Sequence, residues 1–259
     1  MSHPGKRFHP AVWAGIALAA LLVTATDTRE PEPPRQPALW LWAWERADDL
    51  SFLDPKTTGV AYLAATVTIT PEHVSWNGRR QALRLPPGTR RIAVIRIEDR
   101  ERRLDDATRH ELVSRLASEA HASGAVGLQL DWDAPLSLRP AYRLLLADVR
   151  AALPDTIPLS MTALASWCVG DCWLGNASVD EIVPMVFRMG ADERRVRYDL
   201  ARLGDFPCHE CRRAVGLSTD EAWPALPTRR VYLFHAGAWN AEIVRRAVNR
   251  LEGSRRDGR

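Results

Sequence analysis

Short apolar runs recur along the chain, and most of them are followed by a stretch with helical spacing. The eight runs are Leu39–Trp44, Gly59–Thr66, Ile92–Ile97, Val126–Asp131, Pro158–Leu164, Ile182–Phe187, Ala214–Leu217 and Val231–Phe234. Strands that alternate with helices pair in parallel through βαβ units. Eight such strands favour an α/β fold closed into a (β/α)8 TIM-type barrel, although an open doubly wound sheet would give a similar pattern.

Three of the stretches between these runs have recognisable helix ends. The first, Asp105–Ser123, begins with a capping aspartate and stops before Gly124. Ser137 is predicted to cap a second helix. Asn240 is predicted to cap the last helix, which Gly253 ends, so that the barrel domain covers residues 38–253 and a polar tail covers residues 254–259.

One segment between the second and third runs breaks the alternation. Val74–Trp76 is followed by Asn77-Gly78 and then by Arg79–Leu85. Asn-Gly between two extended segments is typical of a β-hairpin closed by a type I′ turn. We therefore expect a hairpin insertion between strands 2 and 3 of the barrel.

Size and charge restrict the class of protein. With 259 residues, 46% of them apolar, the chain can form one substantial core and has no room for a further large domain. The formal net charge is +3, and the arginines alternate with acidic residues along the chain. Because no basic stripe is formed, nucleic-acid binding is not expected. No cofactor is expected either.

The N-terminus is typical of an export signal. The apolar run Ala11–Val23 follows two basic residues, is short for a transmembrane helix and ends near small residues. A retained anchor fits almost as well, so residues 1–25 are predicted to be a signal peptide or membrane anchor. Residues 26–37 form a proline-rich linker. We expect a periplasmic, secreted or inner-membrane-anchored protein that contacts the membrane only through this segment.

The four cysteines occur in two close pairs. Cys168 and Cys172 form one pair, and Cys208 and Cys211 form the other, with His209 beside them. Such pairs are compatible with a zinc site or with disulfides. Export into an oxidising compartment favours disulfides, and therefore no metal site is expected. Four cysteines allow three connectivities, and the sequence does not choose among them.

The fourth run carries the most informative chemistry. Because side chains alternate along a strand, Gln129, Asp131 and Asp133 share one face. Leu128, Leu130 and Trp132 share the other face, which must lie under helices. The two aspartates then point into the barrel near its carboxyl-terminal mouth, where this fold places active sites. Two carboxylates so close raise the pKa of one of them and keep an acid protonated.

A structural role for the two aspartates is the alternative, with Arg96 or Arg188 as an ion-pair partner. Other strand ends also carry polar or aromatic residues, and together these could form a cup around the aspartates. They are Glu45, Arg96, Glu98, Glu181, Arg188, His235 and Trp239. Aromatic rings beside carboxylates suit a sugar, whose C–H faces stack on rings while its hydroxyls need acceptors.

The fourth strand resembles that of a known enzyme family. Gly127–Pro135 is similar to the Asp-Gly-x-Asp-x-Asp-x-Glu signature of the family-eighteen chitinase-type glycoside hydrolases. Leu159–Ala163 resembles their small-residue strand, Val179–Arg188 their Met-x-Tyr-Asp strand, and Trp239 stands where they place a terminal tryptophan. The resemblance implies a barrel in which Asp131 holds the substrate's acetamido group and an acid protonates the leaving oxygen.

The chain departs from that family at the residues that act on the substrate. Asp133 replaces the acid glutamate and is one methylene shorter, Phe187 replaces the tyrosine, and Arg188 replaces the aspartate. A misplacement of about 1 Å can lower a rate about a hundredfold. The resemblance therefore supports the fold and the cup more strongly than it supports chitin hydrolysis.

A second resemblance covers the whole mature chain. Four segments are similar to an uncharacterised bacterial family, domain of unknown function 3142, for which no activity is known. They are Leu41–Glu45, Thr162–Cys168, Asp180–Gly190 and Ser218–Glu221.

Three functional hypotheses follow. The first is a glycoside hydrolase whose catalytic candidates are Asp131, Asp133 and Glu98. The second is a saccharide-binding barrel of the cell envelope without hydrolysis, in which Arg188 neutralises the acid pair. The third is an envelope scaffold. In the first two, carbohydrate is the expected partner and the remaining cup residues, with Gln129, bind it.

Overall fold

Eight parallel strands form a closed barrel in the structure, a computed structural model that describes Met1 and residues 38–70, 73–99 and 104–257. The predicted linker and all but the first residue of the predicted signal or anchor lie outside the described residues. Among the helices of the described part of the chain, none is long and apolar enough to span a membrane.

The barrel strands match the eight apolar runs. They are β1 (Leu39–Ala43), β2 (Thr58–Ile69), β3 (Arg91–Asp99), β4 (Leu128–Asp131), β5 (Leu159–Leu164), β6 (Glu181–Met185), β7 (Ala214–Ser218) and β8 (Arg230–Phe234). The barrel closes through β1, where Leu39 lies opposite Val231 of β8 and Thr58 of β2. The prediction of a closed TIM-type barrel is thus confirmed, and the open sheet is excluded.

Five α-helices pack outside the barrel in the described residues. They are α1 (Asp106–Ala122), α2 (Arg139–Ala152), α3 (Ala165–Val169), α4 (Glu193–Leu203) and α5 (Ala241–Asp257). Asp105 caps α1 by accepting a hydrogen bond from the Thr108 N–H at 2.9 Å, and Gly124 follows α1 with a φ of +59°. Asn240 caps α5 by accepting from the Ile243 N–H at 2.9 Å.

Two predicted helix ends are wrong. Ser137 does not cap α2, because it lies within a short 3₁₀ turn, Leu136–Leu138, and α2 begins at Arg139 with a proline in its first turn. The last helix continues past Gly253 to Asp257. A glycine inside a helix costs only about 1 kcal/mol, so it does not have to end one.

The predicted hairpin has its turn in the wrong place. Val74–Gly78 pairs antiparallel with the end of β2, so that Asn77 lies opposite Thr66 and Val74 opposite Ile69. Asn77-Gly78 is therefore part of a strand, and Gly78 is not among the residues with the positive φ that a type I′ turn needs. The chain reverses earlier, where the Thr70 N–H donates to the His73 carbonyl. The turn prediction is wrong because β2 extends to Ile69, and its last residues form hydrogen bonds with Val74–Gly78 that the Asn-Gly pair alone does not predict.

The interior consists of two apolar layers. Leu128, Leu130 and Trp132 of β4 belong to the layer between strands and helices, where the Trp132 ring lies 4.8 Å from that of Tyr142 on α2. The lumen holds a second cluster that includes Trp40 and Trp42. Gly59 makes room for Trp40, because a Cβ there would come within 2.5 Å of its ring. The two tryptophans therefore fill the barrel.

The cysteines form two disulfides, Cys168–Cys211 and Cys172–Cys208. The first connects α3 to the 3₁₀ helix His209–Arg212, which precedes β7, and the second connects the turn after α3 to the residue before that 3₁₀ helix. Because the four sulfurs are bonded in two pairs, this cluster contains no thiolate that could bind zinc together with His209.

Candidate functional site

A cavity of about 290 Å³ opens at the carboxyl ends of the strands, and we call it the mouth cavity. Its apolar side includes the rings of Trp44, Phe187 and Phe234. Its polar side is formed by Arg96, Asp131, Asp133, Thr162 and Arg188. A second cleft of about 310 Å³ shares Arg96 and both aspartates and is bordered by Glu98. The aspartates thus lie between two adjoining clefts at the end of the barrel where this fold places its active sites.

Asp131 ends β4 and is held by two donors. The Thr162 hydroxyl donates to Oδ1 at 2.6 Å, and Arg96 Nη1 donates to Oδ2 at 3.3 Å. The residue is only 5% exposed, and burial raises the pKa of its carboxyl, while the bonds from Thr162 and Arg96 oppose that increase. The alternative of an ion pair with Arg96 or Arg188 therefore holds for Asp131, and its partner is Arg96.

Asp133 lies just beyond the end of β4 and differs sharply from Asp131. It has no hydrogen bond or ion pair to any residue that the structure describes. Although the residue as a whole is exposed, its carboxyl lines the mouth cavity and is partly buried. Partial burial and then the charge of Asp131 raise its pKa, and Arg96 lowers it. An unpartnered carboxyl that keeps its proton to higher pH is suited to general acid catalysis.

Arg96 connects the acidic groups of the two clefts. Besides Asp131, it binds Glu98 through an ion pair of 3.2 Å, and its guanidinium lies 5.9 Å from the centre of the Trp44 ring. Its charge also acts on Asp133. Arg96, rather than Arg188, is therefore the cation that offsets the acid pair.

Arg188 follows β6 at the opposite wall of the mouth cavity. Its φ is +50°, and its N–H donates to Glu221 Oε1 at 2.9 Å. The guanidinium lies over the Phe234 ring at 4.7 Å, and Phe234 in turn stacks on Phe187 at 5.3 Å with the rings 7° from parallel. These contacts present the arginine at the edge of an aromatic wall.

Other residues of the predicted cup lie away from the mouth cavity. Gln129 is fully buried deeper in the lumen, where it accepts from Trp42 Nε1 at 2.8 Å and donates to Ser160 Oγ at 3.2 Å. Trp239 is 5% exposed and donates through Nε1 to the Trp42 carbonyl at 2.9 Å. Both residues hold the barrel interior together and do not line the cavity.

Glu45 and His235 also serve other parts of the surface. Glu45 Oε1 accepts the backbone N–H groups of Arg80 and Gln81, each at 3.1 Å. His235 Nδ1 lies 2.7 Å from the Thr219 hydroxyl and borders a separate cavity of about 230 Å³. A position at a strand end thus did not suffice to bring a side chain to the site.

Glu181 lies at the opposite end of the barrel, because it is the first residue of its strand and not the last. There it forms what we call the base network: Arg230 Nη1 binds Oε1 at 2.5 Å, and the Tyr232 hydroxyl donates to Oε2 at 2.7 Å. Burial raises the pKa of Glu181, and Arg230 and Tyr232 oppose that increase. A cavity of about 500 Å³ adjoins this network.

The sequence reasoning missed Thr162, Trp44 and Phe234 as cavity residues. Ser160 and Thr162 share one face of β5 by parity, and β5 pairs directly with β4. Reading the parity of β5 together with that of β4 would have placed the Thr162 hydroxyl beside Asp131.

Comparison with known proteins finds a family match over the middle of the chain. No curated protein sequence matches the chain. Residues 87–190 match the family described as Domain of unknown function (DUF3142). That segment contains β3, β4, β5 and β6, and with them all the polar residues of the mouth cavity. The resemblance to this family is therefore confirmed over residues 87–190, whereas Trp44 and Phe234 of the aromatic wall lie outside the matched segment.

Proposed function

We propose that the chain is a carbohydrate-active barrel protein that binds a saccharide in the mouth cavity and cleaves a glycosidic bond with Asp133 as the proton donor. One observation carries the proposal. Asp133 is an unpartnered carboxyl with a raised pKa, and it stands beside the firmly held Asp131 in a cavity with aromatic walls.

The walls of the cavity suit a sugar. Trp44, Phe187 and Phe234 offer ring faces on which the C–H faces of a pyranose can stack. The carboxylates and arginines offer acceptors and donors for its hydroxyl groups. Few polar groups in a mostly apolar concavity are the usual composition of a small-molecule site.

The two aspartates can divide the work of glycosidic cleavage. Asp133 would protonate the leaving oxygen as its bond to the anomeric carbon breaks, which a raised pKa permits closer to neutrality. Water would then add to the anomeric carbon and return a proton to the Asp133 carboxylate, which restores the acid. Asp131, fixed by Thr162 and Arg96, would orient the sugar and stabilise the positive charge that develops on its ring. Glu98 borders the adjoining cleft, and its ion pair with Arg96 makes it a supporting residue.

The test is a glycan screen of the full chain, with release of reducing ends measured in parallel. Asp133→Asn should lower turnover by about 100-fold or more, because general acid catalysis contributes roughly that much, and should leave binding nearly unchanged. Asp133→Glu keeps an ionisable acid but moves it by one methylene, so its turnover should stay above that of Asp133→Asn. Asp155→Asn, at an exposed aspartate before β5, is the matched control. Absence of both binding and turnover in the wild type would refute the proposal.

The pH dependence supplies a second readout. Since the proton donor must be protonated, turnover should decline as pH rises through the raised pKa of Asp133. The residual activity of Asp133→Asn should lack this decline. If the two profiles are parallel, another group supplies the proton.

A saccharide-binding protein without hydrolysis is the second candidate. The observation that favours it is the ion pair between Arg96 and Asp131, which commits one of the two carboxylates to a cation. Tight binding of a glycan without release of reducing ends, unchanged in Asp133→Asn, would select this function.

We also propose that the protein acts outside the cytoplasm, in the cell envelope or beyond it. The signal-like run Ala11–Val23 and the two disulfides support this location. Thiol titration of protein recovered unreduced from the periplasm should find no free thiol. Four reactive thiols would contradict the proposal.

A further inference from the structure

We propose that the saccharide bound in the mouth cavity carries an anionic group, and that Arg188 recognises this group. The anion is a carboxylate, sulfate or phosphate on the sugar. This inference rests on the proposed function and names its substrate class as acidic saccharides.

The first argument is the distribution of charge around the mouth cavity. Arg96 is already engaged, because it binds Asp131 at 3.3 Å and Glu98 at 3.2 Å. Within the described part of the chain, no carboxylate lies within ion-pair distance of the Arg188 guanidinium. The cavity therefore contains one cation committed to the protein and one that is open to a ligand. A guanidinium is a planar fork of donors that matches the oxygens of carboxylates, sulfates and phosphates.

The second argument is the strained backbone conformation of Arg188. Its φ of +50° lies in the left-handed region, where a residue other than glycine costs about 1–3 kcal/mol. Glu221 fixes the backbone there by accepting the Arg188 N–H, while its other oxygen binds Arg197 at 3.2 Å. A strained position that the surroundings secure in this way is typical of a functional side chain.

The third argument is the stacking of the guanidinium on Phe234 at 4.7 Å. Stacking restricts the rotamers of a long side chain before any ligand arrives, which lowers the entropy lost on binding. A phenyl ring supplies no oxygen acceptor, so this contact does not occupy the guanidinium N–H groups with an oxygen of the protein. Arg188 is thus preorganised to bind an anion.

The arginines of the opposite barrel end provide an internal comparison. Arg230 binds Glu181 at 2.5 Å, and Arg213 donates to the Asp180 carbonyl at 3.2 Å. Each of these arginines has an acceptor within the protein. The arginines at the base of the barrel therefore have acceptors within the protein, whereas the Arg188 guanidinium at the mouth has none among the described residues.

An anion beside Arg188 is also compatible with the chemistry proposed for Asp133. A negative charge brought into the cavity raises the pKa of nearby carboxyls, because like charges disfavour ionisation. Binding of an acidic saccharide would therefore help Asp133 to keep the proton that it donates. A neutral sugar would not have this effect.

The experiment measures binding of matched ligands to the full chain by calorimetry. The ligands are glucuronate-containing oligosaccharides, the same compounds with methyl-esterified carboxylates, sulfated and phosphorylated oligosaccharides, and neutral oligosaccharides of equal length. An acidic ligand should bind at least about tenfold more tightly than its neutral counterpart, since a charge-assisted bidentate contact contributes on the order of 1.4 kcal/mol or more. The series that shows the preference, whether carboxylate, sulfate or phosphate, identifies the anion.

Variants of Arg188 complete the test. Arg188→Gln and Arg188→Gly should abolish the preference for the acidic ligand, and Arg143→Gln, at an exposed arginine on α2, should retain it. Both variants lose the contact with Phe234, and only the glycine variant also removes the backbone strain, so its thermal midpoint should lie above that of Arg188→Gln. Equal binding of acidic and neutral saccharides, or an acidic preference that survives Arg188→Gln, would overturn this inference and leave the proposed function intact. If no saccharide of any kind binds, the proposed function itself fails.

Discussion

The two ends of the barrel contain similar chemical groups in opposite states. Each end has a cavity, buried or half-buried carboxyls with raised pKa values, and arginines. The base cavity, at about 500 Å³, is larger than either the mouth cavity, at about 290 Å³, or the cleft that adjoins it, at about 310 Å³. Yet the base groups bind each other, whereas at the mouth neither the Asp133 carboxyl nor the Arg188 guanidinium has a hydrogen-bond or ion-pair partner among the described residues. The comparison teaches that unsatisfied charge, more than cavity size, distinguishes the candidate site.

Position along the strands explains the difference. Glu181, Arg230 and Tyr232 lie within or at the start of β6 and β8, where side chains of the sheet can reach each other across the barrel floor. Asp133 and Arg188 come after their strands have ended, so the sheet supplies no side chain opposite them. This agrees with the general division of this fold into a stabilising base and a functional mouth.

The largest effect that tests the comparison is expected from Glu181→Ala. It removes the partner of a mostly buried arginine and of the Tyr232 hydroxyl. Breaking a buried pair costs about 3–5 kcal/mol, and the partial exposure of Arg230 places the loss near the lower limit. A domain of this size should then melt about 6–12 °C lower. Saccharide binding below the transition should be unchanged.

Glu181→Gln and Glu252→Ala serve as controls for that variant. Glutamine can still accept from Tyr232, so Glu181→Gln should lose less stability than Glu181→Ala. Glu252 is exposed on α5, and its replacement should change the midpoint little. If Glu181→Ala melts like the wild type but no longer binds the glycan, the ligand binds at the base of the barrel and not in the mouth cavity.

The sequence predicted what depends on neighbouring residues. The eight strands follow from apolar runs, and the inward direction of Asp131 follows from strand parity, because both patterns are local. The caps at Asp105 and Asn240 are local as well, and both are present. Glu181 is the first residue of its strand, and in a parallel barrel this position lies at the base, so its inclusion in the cup is wrong for a reason that the sequence already contains.

What depended on distant partners could not be predicted. The Asn77-Gly78 turn signal was overridden by pairing with the extended end of β2. Trp239 was predicted to stack on a ligand, but it donates to the Trp42 carbonyl from the far end of the chain. These two contacts join segments that no local pattern relates to each other. The bond from Thr162 to Asp131 is different, because it joins neighbouring strands and follows from the parity of β5 read together with that of β4.

A medium effect is expected from Thr162→Val, which keeps the shape of the residue and removes the hydroxyl that binds Asp131 at 2.6 Å. Hydrogen bonds to charged groups contribute about 1.5–3 kcal/mol, and the free energy of unfolding should fall by that amount. The pKa of Asp131 should rise further, because the Thr162 bond opposes the effect of burial. Urea denaturation and the pH profile of binding measure both effects. Thr162→Ser should restore them, and an unaltered Thr162→Val would show that Asp131 does not need this donor.

The smallest effect should be a gain in stability from Asp133→Asn. Its sign tests whether the ionised Asp133 carboxylate destabilises the folded protein. The folded-state pKa of Asp133 is raised above its ordinary value of 3.8. Between these two values the folded protein binds more protons than the unfolded chain, so wild-type stability falls as pH rises through that window. Above the window Asp133→Asn avoids this loss and should be more stable by less than about 1 kcal/mol, since solvent screens an exposed charge. Below pH 3.8, where the carboxyl is protonated in both states, the difference should disappear. Denaturant curves of both proteins across pH, with Asp155→Asn as control, measure the effect. A variant less stable than the wild type at neutral pH would mean that Asp133 has a stabilising partner, and the contrast between the two barrel ends would be lost.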